Sequence, residues 1–365
     1  MVIRTTSTGL AVVLLVTLAA CKPEFDERTS LVRDERILAV RSAPAEAQPL
    51  DPALPGYVPL AYTALVADKD GTKSNVPIEW AYCTLPKPVS ELNDVNQLCF
   101  SSRTAPYLKP FAMTGTSVSA DLPWDTTQGE NGCNQFGPDV PATGRPADPD
   151  STGGYYQPVR LIVDRGGRFD LELAETRIKC NLPGATPSVF GEYENRYRLN
   201  QNPELDTLVA SSDPTLALKT EEEGDSGLVV GVGAAVSLTA SWAACPTTPE
   251  CGNGFCEERE DKTACPADCT TPKGCTGSEP YVHFDLTTRT VVPRREAMRL
   301  SWYTTAGTLR DDRTGSTEED VVARNSSSSE NVWSAPTTPQ TATLWVVLRD
   351  SRGGSSWKAY RVTVQ

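Results

Sequence analysis

The sequence predicts an all-β fold of two β-sandwich domains, the second interrupted by a small disulfide-rich insert. Three observations carry this expectation. The apolar segments are short, and several alternate apolar with polar positions, the period of a strand half-buried on a sheet. Breakers are frequent, with 29 Pro and 26 Gly in 365 residues, and no long helical periodicity survives between them. The cysteines crowd into residues 245–275, a stretch too small to bury a stabilising core without cross-links.

Residues 1–20 have the parts of a secretory signal, with a basic start at Arg4 and an apolar run from Gly9 to Ala20. At about 12 residues the run is too short to span a bilayer core of about 30 Å. It ends in Leu18-Ala19-Ala20-Cys21, which resembles the lipobox of bacterial lipoproteins. The resemblance implies cleavage before Cys21, acylation of its thiol, and a lipid-anchored place in the cell envelope. By the family's sorting pattern Lys22, rather than Asp, implies the outer membrane. Residues 21–36 are dense in charge (Glu24, Asp26, Glu27, Arg28, Arg33, Asp34, Glu35, Arg36) and are expected to form a tether from the lipidated cysteine.

The first domain is placed at 37–197. It opens with Ile37-Leu38-Ala39-Val40, stopped by Pro44 and Pro49, and continues through Val58–Val66 to a turn at Asp68-Lys69-Asp70-Gly71. In the next strand Ile78, Trp80 and Tyr82 share one face. Residues 84–157 are rich in Pro, Gly and Asp and read as long loops with a few short strands. Strands return at 159–163 and 169–178, joined by Asp164-Arg165-Gly166-Gly167.

The second domain, 198–365, repeats this plan. Strands are expected at Leu205–Val209, Ala235–Trp242, Met298–Tyr303, Ala342–Leu348 and Trp357–Val364, with Arg349–Gly354 turning between the last two. A Gly-Gly hairpin at the same point in both halves marks an internal repeat, since paired glycines admit the positive φ of tight hairpins. With Trp80 and Trp302 each in the third strand of its half, both halves resemble immunoglobulin-type or polycystic-kidney-disease-type sandwiches. The whole arrangement resembles surface lipoproteins of myxobacterial type, which implies a location and an architecture rather than an activity.

Eleven cysteines become ten once Cys21 is set aside for lipid, an even number suited to an oxidising compartment. Cys83, Cys99, Cys133, Cys180, Cys245, Cys251, Cys256, Cys265, Cys269 and Cys275 are therefore expected in disulfides, with the pairing open. Within the insert, Cys251-Gly252-Asn253-Gly254-Phe255-Cys256 and Cys265-Pro266-Ala267-Asp268-Cys269 resemble a cysteine-rich repeat of secreted bacterial surface proteins; here Lys262 stands where a further cysteine is usual. Three readings stay open. Zinc is disfavoured by the absence of a C-x-x-C pair and by oxidation of thiolates. Calcium is served by hard oxygen ligands on Asn253, Glu257, Glu260, Asp261 and Asp268. A disulfide-stapled contact knob needs no ion. The carboxylates of Asp68 and Asp70 offer a second, weaker calcium turn.

No catalytic constellation emerges, and the chain is read as non-enzymatic. One histidine, His283, excludes sites built on two imidazoles. Gly224-Asp225-Ser226-Gly227 superficially resembles a trypsin-like nucleophile motif, but Leu228 replaces the next glycine and His283 follows the serine. A net charge of −13 argues against nucleic acid as a partner. The expected partners are the membrane through the N-terminal lipid and either envelope proteins or extracellular glycans, serving adhesion, envelope organisation or protein–protein contact, with glycan binding or glycan processing, or a calcium-dependent binding module, as the alternatives. For glycans, Tyr155, Tyr156, Trp333, Trp345 and Trp357 are the candidate platforms, although the apolar neighbours of Trp345 on both faces place it in a core.

Overall fold

The computed structural model describes residues 29–48, 58–85, 95–101, 104–122, 154–166, 169–179, 182, 185–211, 213–257, 260–270, 274–285 and 287–365. Nine strands make the first sandwich: β1 (Arg36–Ala43), β2 (Glu46–Ala47), β3 (Leu60–Asp68), β4 (Gly71–Lys73), β5 (Ile78–Cys83), β6 (Leu108–Ala112), β7 (Ser117–Ala120), β8 (Gly154–Asp164) and β9 (Phe169–Lys179). In one sheet β3 pairs with β1, β4 and β7; the other runs β2-β9-β8-β5-β6.

The second half contributes β10 (Leu205–Ala210), β11 (Asp213–Ala217), β12 (Val229–Val230), β13 (Ala235–Trp242), β14 (Pro280–Asp285), β15 (Thr290–Arg295), β16 (Met298–Thr304), β17 (Thr308–Leu309), β18 (Arg313–Ser316), β19 (Ser328–Ser334), β20 (Gln340–Asp350) and β21 (Ser355–Val364). Its sheets run β11-β10-β13-β19-β17 and β12-β21-β20-β16-β18, with β14 and β15 as a separate hairpin. Both halves follow one immunoglobulin-like plan. In each, a short strand near the start crosses over to lie parallel to the last strand, β2 on β9 and β12 on β21. The last two strands form the hairpin that carries the glycine pair.

The strand periodicity explains the cores. On β13, Val236, Leu238, Ala240 and Trp242 face in; on β16, Met298, Leu300 and Trp302 meet them from the opposing sheet. Ile78, Trp80 and Tyr82 do the same in the first sandwich, against Tyr62, Val66, Leu161 and Val163. Both tryptophans are buried with their indole N–H groups satisfied. Trp80 donates to the Gly115 carbonyl at 3.1 Å, and Trp302 to Thr314 Oγ1 at 2.8 Å.

β20 departs from simple alternation because it is buried on both faces. Ala342, Leu344, Val346 and Leu348 enter the second core, whereas Trp345 and Val347 point the other way into a seam between the sandwiches. The first sandwich supplies Leu38, Ala39, Leu65 and Ala67 to that seam, and a bulge between Ile37 and Ala39 turns two consecutive residues toward it. Trp345 Nε1 donates to Thr72 Oγ1 at 2.9 Å, Arg349 to the Leu38 carbonyl at 3.0 Å and Ser355 to the Val40 carbonyl at 2.9 Å. The seam is therefore apolar at its centre and hydrogen-bonded around it.

The charged stretch expected as a free tether is corrected in its last part. Leu31 bridges Thr304 at the end of β16, Val32 N–H donates to the Thr304 carbonyl at 2.8 Å, and Val32 is fully buried in the seam. Leu31 and Val32 dock this last part of the run, and Arg36 closes the loop over the Thr29 carbonyl at 2.6 Å.

Between β13 and β16 the chain leaves the sandwich for residues 243–297, a longer excursion than the cysteine segment alone. It contains the insert, the four-residue α3 (Pro266–Cys269) and the β14–β15 hairpin. α2 (Pro187–Arg196), started by Thr186 capping Val189 N–H with Pro187 in the first turn, packs Tyr193 and Val189 on Val282, Phe284 and Val291 of that hairpin. Two further short helices are α1 (Leu98–Ser101), pinned to β5 by Cys83–Cys99, and α4 (Glu318–Arg324), opened by a Thr317–Asp320 capping box.

Removing Trp345 deletes the largest fully buried side chain of the seam and one of its hydrogen bonds. Trp345→Ala is expected to lower the unfolding free energy by about 3–5 kcal/mol in denaturant melts, the range for a buried Trp truncation.

Candidate functional site

Two polar centres stand out, one at the base of the excursion and one inside it. At the base, Arg352, which the sequence presents as a hairpin residue beside Gly353 and Gly354, is 1% exposed and surrounded by carboxylates. It reaches Glu296 Oε1 at 2.6 Å through Nε, Glu279 Oε2 at 3.0 Å and the Arg198 carbonyl at 2.9 Å. Its guanidinium also lies over the Tyr281 ring at 4.9 Å.

Beside it Glu46, fully buried on β2, takes Arg177 Nε at 3.1 Å, Tyr197 OH at 2.7 Å and Asn200 N–H at 2.8 Å. Asp350 accepts from the backbone N–H groups of Arg352 and Gly354 at 2.8 and 2.9 Å, and from Asn200 Nδ2. The glycine pair is now explained: Gly353 has φ +100°, and a Cβ on Gly354 would meet Asp350 Oδ2 at 2.1 Å. Both sandwiches, the linker and both arms of the excursion thus meet at two guanidiniums and four carboxylates.

Sequence reasoning singles out none of Glu46, Arg177, Glu279, Glu296 or Asp350, because nothing local distinguishes them from surface charges. They come from five separate places in the chain. The paired glycines beside Arg352 were the one pointer.

Inside the excursion, Cys251 pairs with Cys265, Cys256 with Cys269, and Cys245 with Cys275 at its neck. Their sulfurs are spent on one another and leave no thiolates for zinc. Cys133 and Cys180, like Cys21, lie outside the described residues. Lys262, standing in place of a cysteine, docks the insert on α2: its N–H donates to Asn195 Oδ1 at 3.2 Å and its ammonium to the Glu194 carbonyl at 3.4 Å, at the end of a helix where a cation is favoured.

Of the five oxygen donors considered for calcium, the structure gathers four. Asp268 accepts from Gly252 and Gly254 N–H, Asn253 Oδ1 from Phe255 N–H at 2.7 Å, and Glu260 Oε2 from Glu257 N–H at 3.2 Å. Asn253 Nδ2 donates to Glu257 Oε1 at 2.5 Å. Asp261 serves elsewhere: its Oδ1 caps Thr263 and Ala264 N–H at 2.7 and 2.6 Å, which together with Arg196 and Arg198 holds its carboxyl below the usual range. In the Asp68–Gly71 turn the carboxylates already face lysines, Asp68 with Lys73 at 2.7 Å and Asp70 with Lys69 at 2.8 Å.

Ser226 is buried, its hydroxyl donating to the Arg361 carbonyl on β21 and accepting from Leu228 N–H, whereas His283 sits on β14. Among the aromatic candidates, Trp333, Trp345 and Tyr155 are core residues, and Tyr156 accepts from Arg177 at 2.9 Å. Trp357 is half-buried in an open cleft of about 580 Å³ between the sandwiches, with Glu221, Glu222, Lys358 and Thr72 around it and Arg41 over its ring at 5.4 Å.

No family model and no curated protein matches the chain. Among solved structures it aligns with the adhesin InvE of Yersinia pseudotuberculosis at 10% identity, covering 91% of this chain and 58% of that one, with a TM-score of 0.20. It also aligns with the E. coli alpha-2-macroglobulin at 9% identity (92% of this chain, 16% of that one, TM-score 0.20) and with a chimeric titin tandem at 8% identity (91% and 100%, TM-score 0.17). The chain therefore spans less than two thirds of the adhesin's length. The fold assignment rests on the sheets themselves.

The base cluster makes stability depend on pH. Burial pushes Glu279 up to about 7, against the pull of Arg352, and burial raises Glu296 and Asp350 in the same direction. Between the ordinary glutamate value of 4.5 and about 7 the folded chain keeps a proton on Glu279 that the unfolded chain has released. Stability must then fall as pH rises through that window. The exposed carboxylates held low, such as Asp320 and Asp285, act below it. A melting temperature highest near pH 5 and several degrees lower at about pH 8 is expected in thermal scans.

Proposed function

We propose that this chain is a non-enzymatic, lipid-anchored protein of the bacterial cell envelope that holds two rigidly coupled sandwiches at the outer membrane and offers a contact surface to envelope proteins. Rigid coupling is the observation that carries it. An apolar seam around Trp345 and the Arg352–Glu46 pair join the two sandwiches, and Arg352 with Glu279 and Glu296 fixes the base of the insert. Such a body suits presentation of a surface at a set distance and angle. The Leu18-Ala19-Ala20-Cys21 signal and the disulfides support the address.

The cleft at Trp357 favours a second reading, an extracellular glycan as ligand. The indole edge that reaches the cleft, with Arg41 over the ring, lies beside carboxylates and an ammonium that can take the hydroxyls of a sugar.

Cys21→Ala is expected to move the protein from the membrane fraction to the soluble fraction of lysed cells; unchanged membrane association overturns lipid anchoring at that residue. For the glycan reading, Trp357→Ala is expected to weaken retention on purified envelope polysaccharide by about tenfold. Retention equal to that of the native chain sinks it.

A further inference from the structure

We propose that Glu257 and Glu260 bind a calcium ion inside the cysteine-rich insert. The two residues are 4% and 3% exposed, and both stand on the loop between Cys256 and Cys265 whose ends the two disulfides hold. Their carboxylates lie against each other, and Asp268, 1% exposed, is near enough to add repulsion.

The hydrogen bonds account for only half of this pair. Glu257 Oε1 is taken by Asn253 and Glu260 Oε2 by the Glu257 N–H. Glu257 Oε2 and Glu260 Oε1 are shielded from solvent and receive no donor. Among the described residues no lysine or arginine forms an ion pair with either carboxylate. Arg198, which shares a small cavity with Glu257, donates to the Asn195 and Tyr197 carbonyls and to the Cys256 sulfur, its Nε has no hydrogen-bond partner, and the charge that acts on it is that of Asp261. Two adjacent buried carboxylates need a compensating charge between them, because desolvating an unpaired anion costs several kcal/mol.

The donor set suits a hard cation. The unpaired atoms are both carboxylate oxygens, hard ligands that suit calcium. The surrounding sulfurs, though close to Glu260, are bridged and cannot act as thiolates. A cavity of about 30 Å³ lies against Glu257, Phe255 and Arg198, room for a water to complete the shell. Asp268 contributes charge rather than a free oxygen, since Gly252 and Gly254 N–H groups occupy it. A proton shared by the two glutamates is the competing way to relieve the same repulsion.

Calorimetric titration of the full, disulfide-intact chain with calcium chloride near neutral pH separates the two. One ion per chain is expected, with a dissociation constant of about 10⁻⁴–10⁻³ M, the range of extracellular calcium modules, and a thermal transition that rises with calcium relative to chelator. Glu260→Gln and Glu257→Gln are expected to weaken binding by about tenfold or more, and Asp261→Asn to leave it unchanged. The absence of saturable binding to the native chain at about 10 mM overturns the proposal in favour of the shared proton, whatever the variants do. Full-affinity binding by Glu260→Gln overturns the placement, and Glu260→Asp supplies the same comparison if the amide variant does not fold. The outcome is independent of membrane anchoring.

Discussion

The structure depends on the double burial of β20. A central strand with Leu344, Val346 and Leu348 on one side and Trp345 and Val347 on the other cannot be satisfied by a single sandwich, whose outer sheet face meets water. A second sandwich must cover the outer face, and β1 and β3 of the first half do so. The Thr72 hydroxyl completes the fit by accepting the Trp345 indole N–H, so the seam selects one docking angle rather than a greasy continuum. The docking of Leu31 and Val32 follows from the same need, since Val32 is fully buried in the seam cluster.

The hairpin leaving β20 then delivers Arg352 to the base of the excursion. Four carboxylates around two guanidiniums form an unfavourable charge balance for a buried place, and well-packed apolar residues of similar volume would stabilise the fold at least as well. What the ionic junction adds is registry. Glu46, Glu279 and Glu296 arrive from different places in the chain and pair with Arg177 or Arg352, while Asp350 holds the Arg352 turn through backbone N–H groups. The insert is thereby fixed at a neck made of Cys245–Cys275 and the Arg352 cluster, and again at its flank by Lys262 on α2.

Much of the fold is legible one strand at a time. Ile78, Trp80 and Tyr82, or Val236, Leu238 and Ala240, declare a buried face because strand geometry returns every second side chain to the same side. The glycine pairs mark equivalent hairpins because the backbone at Gly166 and Gly353 takes positive φ. The helices are less visible. α2 has a mean composition that is polar, and it is helical because Tyr193 and Val189 find Val282 and Phe284 on a hairpin some ninety residues later.

The candidate sites divide in the same way. Cysteine count, the stapled insert and the candidacy of Glu257, Glu260 and Asp268 are properties of residue type and spacing, so the sequence by itself determined them. Tertiary structure alone decided that Asp261 caps a turn while Glu257 and Glu260 face each other, that Trp345 is seam and Trp357 is cleft, and that Arg352 gathers carboxylates from distant segments. The physical reason is that local geometry follows from neighbours a few bonds away. Burial and charge pairing depend on which segments meet, and that is settled only when the two sandwiches dock.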